Sequence, residues 1–306
     1  MISLYEVGPR DGLQNESARL PVEDKLRLIA ALAEAGLKRI EVGSFVRPDW
    51  IPQLAETDEV ARRAPRRPGV RYAALVPNRQ GLDRAVAAGI GEVAVFMSAS
   101  ETHNRKNTNK SIAQSLEHFG EIVPAAKKQG LFVRAYLSTV WGCPYEGKVD
   151  PRRALEISLR LREMGCDELS LGDTIGVGNP LQTRKILEHF LGQLPAAMLA
   201  LHLHDTHGTA LANCLVGMEM GISMFDTSVG GMGGCPYAPG AAGNLATEDL
   251  ASMLADMGVE TGIDLDKLIE AGWLAQQLVG RKLPGRRLQA ALGRRAPGEA
   301  REGAST

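Results

Sequence analysis

Two histidines, His202 and His204, are separated by a single residue at the end of a predicted strand. Side chains two residues apart on a β-strand point to the same face, so this spacing suits a pair of metal ligands. An isolated His-x-His is also compatible with two core or surface histidines. Asp11 can add an anionic oxygen and Asn244 a neutral one. Two nitrogens and two oxygens, with room for water or substrate, favour an octahedral Mg²⁺ or Mn²⁺ over a structural zinc.

Charged residues that could stabilise or transfer charge accompany this set. Arg10 directly precedes Asp11 in a turn constrained by Pro9 and Gly12, and its guanidinium could stabilise negative charge on a carbonyl oxygen. The alternative for Arg10 is a surface salt bridge. Glu41 and Asp173 could each support a metal ligand, act as a general base or belong to a structural ion pair.

Cys235 follows a stretch, 230–234, that contains four glycines. So much glycine is unusual in a core element, and we expect a mobile loop with little side-chain packing. A single cysteine is more often inert than reactive, but a thiol with an ordinary pKa near roughly 8.5 is mostly protonated at neutral pH and can donate a proton. The loop therefore indicates a lid that delivers an acid or a base.

Eight short β-branched runs alternate with stretches of helical period, which predicts βα units and a parallel sheet. The runs cover 2–7, 39–43, 71–76, 92–97, 131–137, 168–171, 198–203 and 223–228. Eight such units in roughly 250 residues favour the α/β class and a (β/α)8 TIM barrel. A doubly wound fold is the alternative, but no Gly-x-Gly-x-x-Gly opens the first helix. In a closed barrel, Asp11 would lie beside the seventh and eighth strands.

Helical periodicity predicts amphipathic helices over 22–35, 81–88 and 155–164, and extra closing helices over 250–257 and 264–279. Glycines that end helices before a strand are predicted to be left-handed at Gly36, Gly89, Gly130, Gly165 and Gly221. We expect one catalytic domain over 1–280, which includes the closing helices. Residues 281–306 are predicted to form a frayed basic tail, either solvated or closing over a phosphate-bearing ligand.

Composition limits the classes of partner. The chain has 306 residues and a formal net charge of -1, so it has no general attraction for nucleic acid or anionic lipid. Residues 1–6 lack a charged leader followed by an apolar run, and no segment approaches the roughly 20 apolar residues that span a bilayer. Four scattered cysteines without a Cys-x-x-Cys pair indicate a reducing compartment, and we expect a soluble cytoplasmic protein.

Several blocks in one order resemble the 3-hydroxy-3-methylglutaryl-CoA lyase family, a group of metal-dependent barrel enzymes related to isopropylmalate synthase. The resemblance runs from Tyr5 to Val279. Its specific blocks are Glu6–Glu16, Ile40–Val42 with Ser44–Val46, Gly142–Gly147, Ser170–Gly176, Gly233–Tyr237 and Gly243–Asp249.

The resemblance implies a role for each candidate residue. Mg²⁺ or Mn²⁺ would be bound by Asp11, His202, His204 and Asn244. Catalysis would be served by Arg10, Glu41, Asp173 and Cys235. The acyl-CoA substrate would face Gln14, Ser98, Asn107 and Thr174. The resemblance also implies a homodimer. Two departures affect residues that shape the pocket: His207 replaces a Tyr common in relatives, and Thr102-His103-Asn104 replaces an aromatic-containing stretch.

The implied reaction is a divalent-metal-dependent retro-Claisen cleavage of 3-hydroxy-3-methylglutaryl-CoA to acetyl-CoA and acetoacetate, as in leucine catabolism and ketone-body formation. A different 3-alkyl substituent on the substrate is one alternative. A second is a Claisen-type synthase on the same barrel, because bond formation and cleavage use the same groups. The Gly-Gly-Cys-Pro-Tyr loop favours the lyase. A third alternative is a catalytically silent barrel that only binds acyl-CoA or a partner protein, which the complete charged and metal-binding set argues against.

Overall fold

The computed structural model describes residues 2–234 and 243–294. Eight parallel strands form a closed barrel in chain order, with the last strand paired to the first. The strands are β1 (Ser3–Glu6), β2 (Arg39–Ser44), β3 (Arg71–Leu75), β4 (Glu92–Ser98), β5 (Phe132–Ser138), β6 (Glu168–Asp173), β7 (Leu199–Leu203) and β8 (Met224–Thr227). The predicted barrel is confirmed, and each strand falls on its predicted run.

Helices surround the barrel. They are α1 (Val22–Glu34), α2 (Thr57–Arg63), α3 (Arg79–Ala87), α4 (Glu101–Thr108), α5 (Ile112–Lys128), α6 (Pro151–Glu163), α7 (Pro180–Leu191), α8 (Ala210–Glu219), α9 (Thr247–Asp256), α10 (Leu265–Val279) and α11 (Arg286–Leu292). Helix α6 begins four residues before its predicted start because the Asp150 side chain caps it and Pro151 occupies its first turn. All five glycines predicted to be left-handed have positive φ.

The prediction of a frayed tail from residue 281 is wrong for the described residues up to 294. Leu283 and Leu288 are fully buried, and α11 lies between α9 and α10. The Asp249 carboxylate accepts hydrogen bonds from the backbone N–H groups of Arg286 (3.0 Å) and Arg287 (2.5 Å), which fixes the start of α11. Helix α11 has seven residues, of which Leu288 is the buried one, so its apolar pattern is too short to identify it from the sequence. Residues 295–306 lie outside the described residues, and the domain boundary at 280 stays a prediction.

Charged side chains fill much of the barrel interior, where branched apolar residues are usual. Arg39, Glu92 and Glu168 are the first residues of β2, β4 and β6, and Arg39 bonds to both carboxylates. In the next layer, the fully buried Arg134 lies 4.0 Å from the ring centre of Tyr5. The interior therefore provides a polar path towards the carboxyl ends of the strands.

Two expectations from composition can be compared with the described residues. None of their helices has the length and apolar character needed to cross a membrane. Cys143, Cys166 and Cys214 are buried free thiols, whereas Cys235 lies outside the described residues. No disulfide therefore links the three described cysteines.

Candidate active site

A cavity of about 430 Å³ opens at the carboxyl ends of the strands. Several predicted site residues line it: Arg10, Asp11, Gln14, Asn107, Thr174, His202 and His204. Glu41, Ser98 and Asp173 are fully buried behind its wall. Asn244 bonds to Asp11 at its edge, and Cys235 lies outside the described residues. The structure therefore brings most of the predicted set to one end of the barrel.

His202 on β7 and His204 directly after it face the barrel interior together, as their spacing predicts. Their Nε2 atoms are 3.4 Å apart, and a carboxylate oxygen of Asp11 completes a group whose ligand atoms all lie within 4.8 Å of one another. Closure of β1 against β8 brings Asp11 to β7. The Asn244 amide donates to Asp11 Oδ2 (2.8 Å) and to the Met232 carbonyl (3.1 Å). The four predicted metal ligands therefore converge.

The protonation states of this group suit a divalent cation. Burial opposes ionisation of Asp11, but Arg10 and the two histidines outweigh it and lower the pKa of Asp11 to about 2. Burial lowers the pKa of His204 to about 4, so its imidazole is neutral at pH 7. Its buried Nδ1 has no hydrogen-bond partner in the described part of the chain. An ionised carboxylate beside a neutral imidazole is the donor set that a metal ion requires.

Arg10 and Asp11 belong to a single π-helical turn, Gly8–Gly12, that follows β1 directly. The Glu6 carboxylate anchors the start of this turn by accepting a hydrogen bond of 2.7 Å from the backbone N–H of Gly8. A π-helical turn is rare and is often found at functional sites. Here it turns two consecutive charged side chains towards the cavity.

The Arg10 guanidinium is held from several sides. It donates to Glu41 Oε2 (2.6 Å) and to Asp11 Oδ1 (2.5 Å), and it lies 5.2 Å from the centre of the Tyr136 ring. The Tyr136 hydroxyl donates to the same Glu41 oxygen at 3.1 Å. Burial raises the pKa of Glu41, although Arg10 opposes the shift. Glu41 thus orients Arg10 from beneath the cavity, and its own catalytic role stays a prediction.

Asp173 is engaged with the backbone of the loop after β6. Its carboxylate accepts hydrogen bonds from the N–H groups of Val177 (3.1 Å) and Gly178 (2.8 Å), and burial raises its pKa. The adjacent Thr174 lines the cavity and accepts a hydrogen bond from the Thr139 N–H at 2.8 Å. Asp173 therefore shapes the loop that presents Thr174, and its predicted role as a base remains untested.

The two departures from the family pattern, at His103 and His207, differ in their position relative to the cavity. His103 lines the cavity, with its Nδ1 2.6 Å from Ser98 Oγ, and burial lowers its pKa to about 4. Ser98 therefore lies behind His103, whereas Asn107 reaches the cavity directly. His207 is not among the residues that line the cavity, and its backbone N–H donates to the Gly176 carbonyl. Only the departure at His103 changes the cavity wall.

The first part of the glycine-rich loop is packed, which contradicts the expected lack of side-chain contacts. Val229–Gly231 forms a 3-10 turn, and Met232 is fully buried. Gly230 has a φ of 65°, and a Cβ there would overlap the Leu283 side chain, so glycine permits close approach as well as the turn. Cys235 and the rest of the loop to residue 242 lie outside the described residues.

Three residues of the site were missed by the sequence reasoning. Asp226 on β8 lies 3.1 Å from His202 Nδ1, Arg134 on β5 bonds to Asp226, and Tyr136 contacts Arg10. The available signal was a charge inside each of two predicted strands, Asp226 in 223–228 and Arg134 in 131–137. Such a charge requires a partner in the interior.

Comparisons with known proteins identify the family of this chain. The HMGL-like family model matches residues 1–274. A hydroxymethylglutaryl-CoA lyase of Bacillus subtilis is 52% identical over 288 residues, which cover 94% of this chain and 96% of that protein.

Solved structures extend the likeness to the fold. The hydroxymethylglutaryl-CoA lyase of Pseudomonas aeruginosa superposes with a TM-score of 0.94 and 48% identity over 96% of this chain and 98% of its own. An HMG-CoA lyase of Acinetobacter baumannii, in complex with coenzyme A and 3-methylmalate, gives 0.91 and 39% over 95% of each chain. The chain therefore belongs to the HMGL-like family, as its sequence motifs predicted.

Proposed function

We propose that the protein is a divalent-metal-dependent lyase that cleaves 3-hydroxy-3-methylglutaryl-CoA to acetyl-CoA and acetoacetate. The observation that carries the proposal is the convergence of Asp11, His202 and His204 with Arg10 in one cavity. A metal-ligand group beside a fixed guanidinium can activate a hydroxyl and stabilise an enolate within the same substrate. The names of the relatives support the carbon–carbon lyase class over a synthase or a binding protein.

Asp11, His202, His204 and Asn244 would hold the cation. When bound, Mg²⁺ or Mn²⁺ supplies a Lewis acid that lowers the pKa of the substrate's tertiary hydroxyl and a template that fixes its geometry. Removal of the hydroxyl proton allows the bond between C2 and C3 to break, giving a ketone and a thioester enolate. Arg10, held by Glu41, is positioned to stabilise the enolate oxygen.

Two proton transfers complete the reaction. A base takes the hydroxyl proton, and an acid delivers a proton to C2 to form the acetyl group. Cys235 is the proposed acid, and Asp173 is the proposed base partner. Because the Asp173 carboxylate accepts two backbone N–H groups, its contribution to the base step would act through the loop that presents Thr174.

The test follows acetoacetate release from 3-hydroxy-3-methylglutaryl-CoA by EDTA-treated protein, before and after Mg²⁺ or Mn²⁺ is added. We expect activity only with metal. In Arg10→Met, turnover should fall by roughly 10²-fold or more, since one oxyanion donor is lost, while metal content is unchanged. Arg79→Met removes an exposed guanidinium paired with Asp83 and is the matched control. Full activity of Arg10→Met, or no metal-restored release from the wild type, would overturn the proposal.

The family resemblance supports a homodimer. The scattered cysteines without a Cys-x-x-Cys pair support a cytoplasmic location. The substrate with a methyl group at C3 is proposed over those with longer 3-alkyl groups. Turnover of a longer 3-alkyl analogue at an equal rate would widen the substrate class. Light scattering in solution would measure the number of subunits directly.

A further inference from the structure

We propose that Asp226 and Arg134 are positioning residues that fix the ring orientation and tautomer of His202, so that its Nε2 lone pair points at the metal site. The inference rests on the proposed function, because it takes His202 as a metal ligand. It adds a chain of buried contacts that begins at the amino ends of the strands and ends at this ligand.

Asp226 holds His202 from the side away from Asp11 and His204. Its Oδ2 lies 3.1 Å from His202 Nδ1 and also accepts a hydrogen bond of 2.9 Å from the Ser170 hydroxyl. An ionised carboxylate can only accept hydrogen bonds, so His202 Nδ1 must carry the proton in this contact. Its Nε2, which faces His204 Nε2 at 3.4 Å, is then left as the lone-pair nitrogen.

Arg134 fixes Asp226 in turn. One of its terminal nitrogens donates to Asp226 Oδ1 at 2.5 Å, and its Nε lies 3.1 Å from a Glu168 oxygen. The guanidinium is fully buried, with its central carbon 4.0 Å from the Tyr5 ring centre and 4.9 Å from that of Tyr136. A planar cation between two rings and two carboxylates cannot reorient without losing several contacts at once.

The two histidines of the group are therefore supported differently. His204 Nδ1 is buried and has no hydrogen-bond partner among the described residues, whereas His202 Nδ1 faces a carboxylate. A carboxylate behind a metal-binding histidine fixes the ring and increases the basicity of the nitrogen that meets the metal. Among the described residues, a carboxylate supports His202 but not His204, so the effect of Asp226 on metal binding should pass through the His202 ring.

The charges inside the barrel also support a role for Asp226 in metal binding. Ion pairs inside the barrel join Arg10, Arg39 and Arg134 to Asp11, Glu41, Glu92, Glu168 and Asp226, and the half-exposed Arg71 lies 3.6 Å from Glu92. Among these described side chains, the five carboxylates outnumber the four cations. Replacing Asp226 with a neutral residue therefore removes electrostatic attraction for the metal as well as the anchor of His202.

The experiment measures Mn²⁺ affinity by electron paramagnetic resonance, without substrate, for the wild type and Asp226→Asn. We expect the dissociation constant to rise about 10-fold to 100-fold in the variant, the usual effect of losing a carboxylate behind a metal-binding histidine. Asp83→Asn is the matched control. Asp83 is an exposed residue of α3 whose carboxylate pairs with Arg79. The control should bind Mn²⁺ as the wild type does.

A second readout needs no metal. Nitrogen-15 NMR of histidine-labelled protein in EDTA should show the Nδ1–H tautomer of His202 in the wild type and a mixture in Asp226→Asn. Ser170→Ala removes only one hydrogen bond to the same Asp226 oxygen and serves if Asp226→Asn does not fold, with affinity lowered about threefold. Arg134→Lys keeps the positive charge beside Asp226, so it should retain more affinity than Arg134→Met.

The outcomes separate this inference from the function on which it rests. A wild type that binds no Mn²⁺ contradicts the proposed metal site, and the tautomer of His202 in metal-free protein then decides the positioning role. A wild type that binds Mn²⁺ beside a folded Asp226→Asn with equal affinity and the same tautomer overturns the positioning role alone.

Discussion

Glu6 should make the stability of this protein fall as the pH rises, although it lies outside the cavity. Its carboxylate is fully buried and accepts hydrogen bonds from the N–H groups of Gly8 (2.7 Å) and Val229 (2.9 Å) and from the Thr247 hydroxyl (2.6 Å). Burial raises its pKa from 4.5 to about 7, and these three bonds only partly oppose the shift. No cation is paired with it among the described residues.

Proton linkage gives the sign and the magnitude of the effect of Glu6 on stability. The folded protein holds the Glu6 proton more tightly than the unfolded chain, so this contribution to stability is complete below pH 4.5 and is lost as the pH rises through 7. Because a difference of one in pKa corresponds to about 1.4 kcal/mol, ionisation of Glu6 in the fold costs about 3 kcal/mol at pH 8. Glu6→Gln cannot ionise, and its amide can replace the three hydrogen bonds if the Thr247 hydroxyl accepts instead of donating.

The assay is thermal unfolding of metal-free wild type and Glu6→Gln between pH 4.5 and 8. The two proteins should be similar at pH 4.5, and the variant should gain about 6 °C relative to the wild type by pH 8, from about 2 °C per kcal/mol. Glu59→Gln alters an exposed helical pair with Arg63 and should change neither curve. Parallel curves for wild type and Glu6→Gln would refute the reasoning, as would a variant that is less stable at pH 8.

Three further substitutions test packing and the support of Arg10. Leu283→Ala should lower the free energy of unfolding by about 2–5 kcal/mol in urea titrations, because the side chain is fully buried. Gly230→Ala should cost more than the roughly 1–2 kcal/mol of a left-handed alanine, since its Cβ would also overlap Leu283. Tyr136→Phe should reduce kcat about tenfold with Mn²⁺ affinity unchanged, because it removes one hydrogen bond to the Glu41 oxygen that holds Arg10.

The two packing substitutions have matched comparisons. Gly69 has a φ of 77°, and a methyl group added there would meet no atom within 4 Å, so Gly69→Ala measures the backbone cost alone. Equal losses in Gly69→Ala and Gly230→Ala would contradict the overlap with Leu283. Leu181→Ala, at a residue 64% exposed, should leave the unfolding free energy almost unchanged. A Tyr136→Phe enzyme that turns over normally would show that Arg10 keeps its position without the tyrosine.

The barrel could be predicted because its signals are local. Short β-branched runs define the strands, and five glycines end helices where a left-handed residue is required. The clearest failure was α11, whose stability comes from long-range contacts. Leu283 packs on Gly230, and Asp249 caps the helix from more than 35 residues away. No local pattern in residues 281–294 encodes those contacts.

The candidate site was predictable where its residues are close in sequence and not where their contacts are long-range. The spacing of His202 and His204 is enough to predict that both side chains lie on the same face of the strand. The partners of Glu41 and Asp173 could not be predicted, because the contacts of a carboxylate depend on which backbone N–H or guanidinium the fold brings to it. Asp226 shows how far this prediction can go. An acidic residue inside a predicted strand indicates a buried partner, but it does not identify Arg134 or His202 as that partner.

The segment that follows α10 packs against loops at the active-site end of the barrel. Glu16, which ends the β1 loop, pairs with Arg281 at 2.7 Å, and Asp205, next to a predicted metal ligand, pairs with Arg286 at 2.8 Å. Between these pairs, Leu283 packs on the turn that leads to the glycine-rich loop. The segment after α10 therefore contacts the loops that follow β1, β7 and β8, the same strands that carry or adjoin the metal-ligand group. Its packing restrains these loops together, so their geometry depends on residues beyond the last barrel strand.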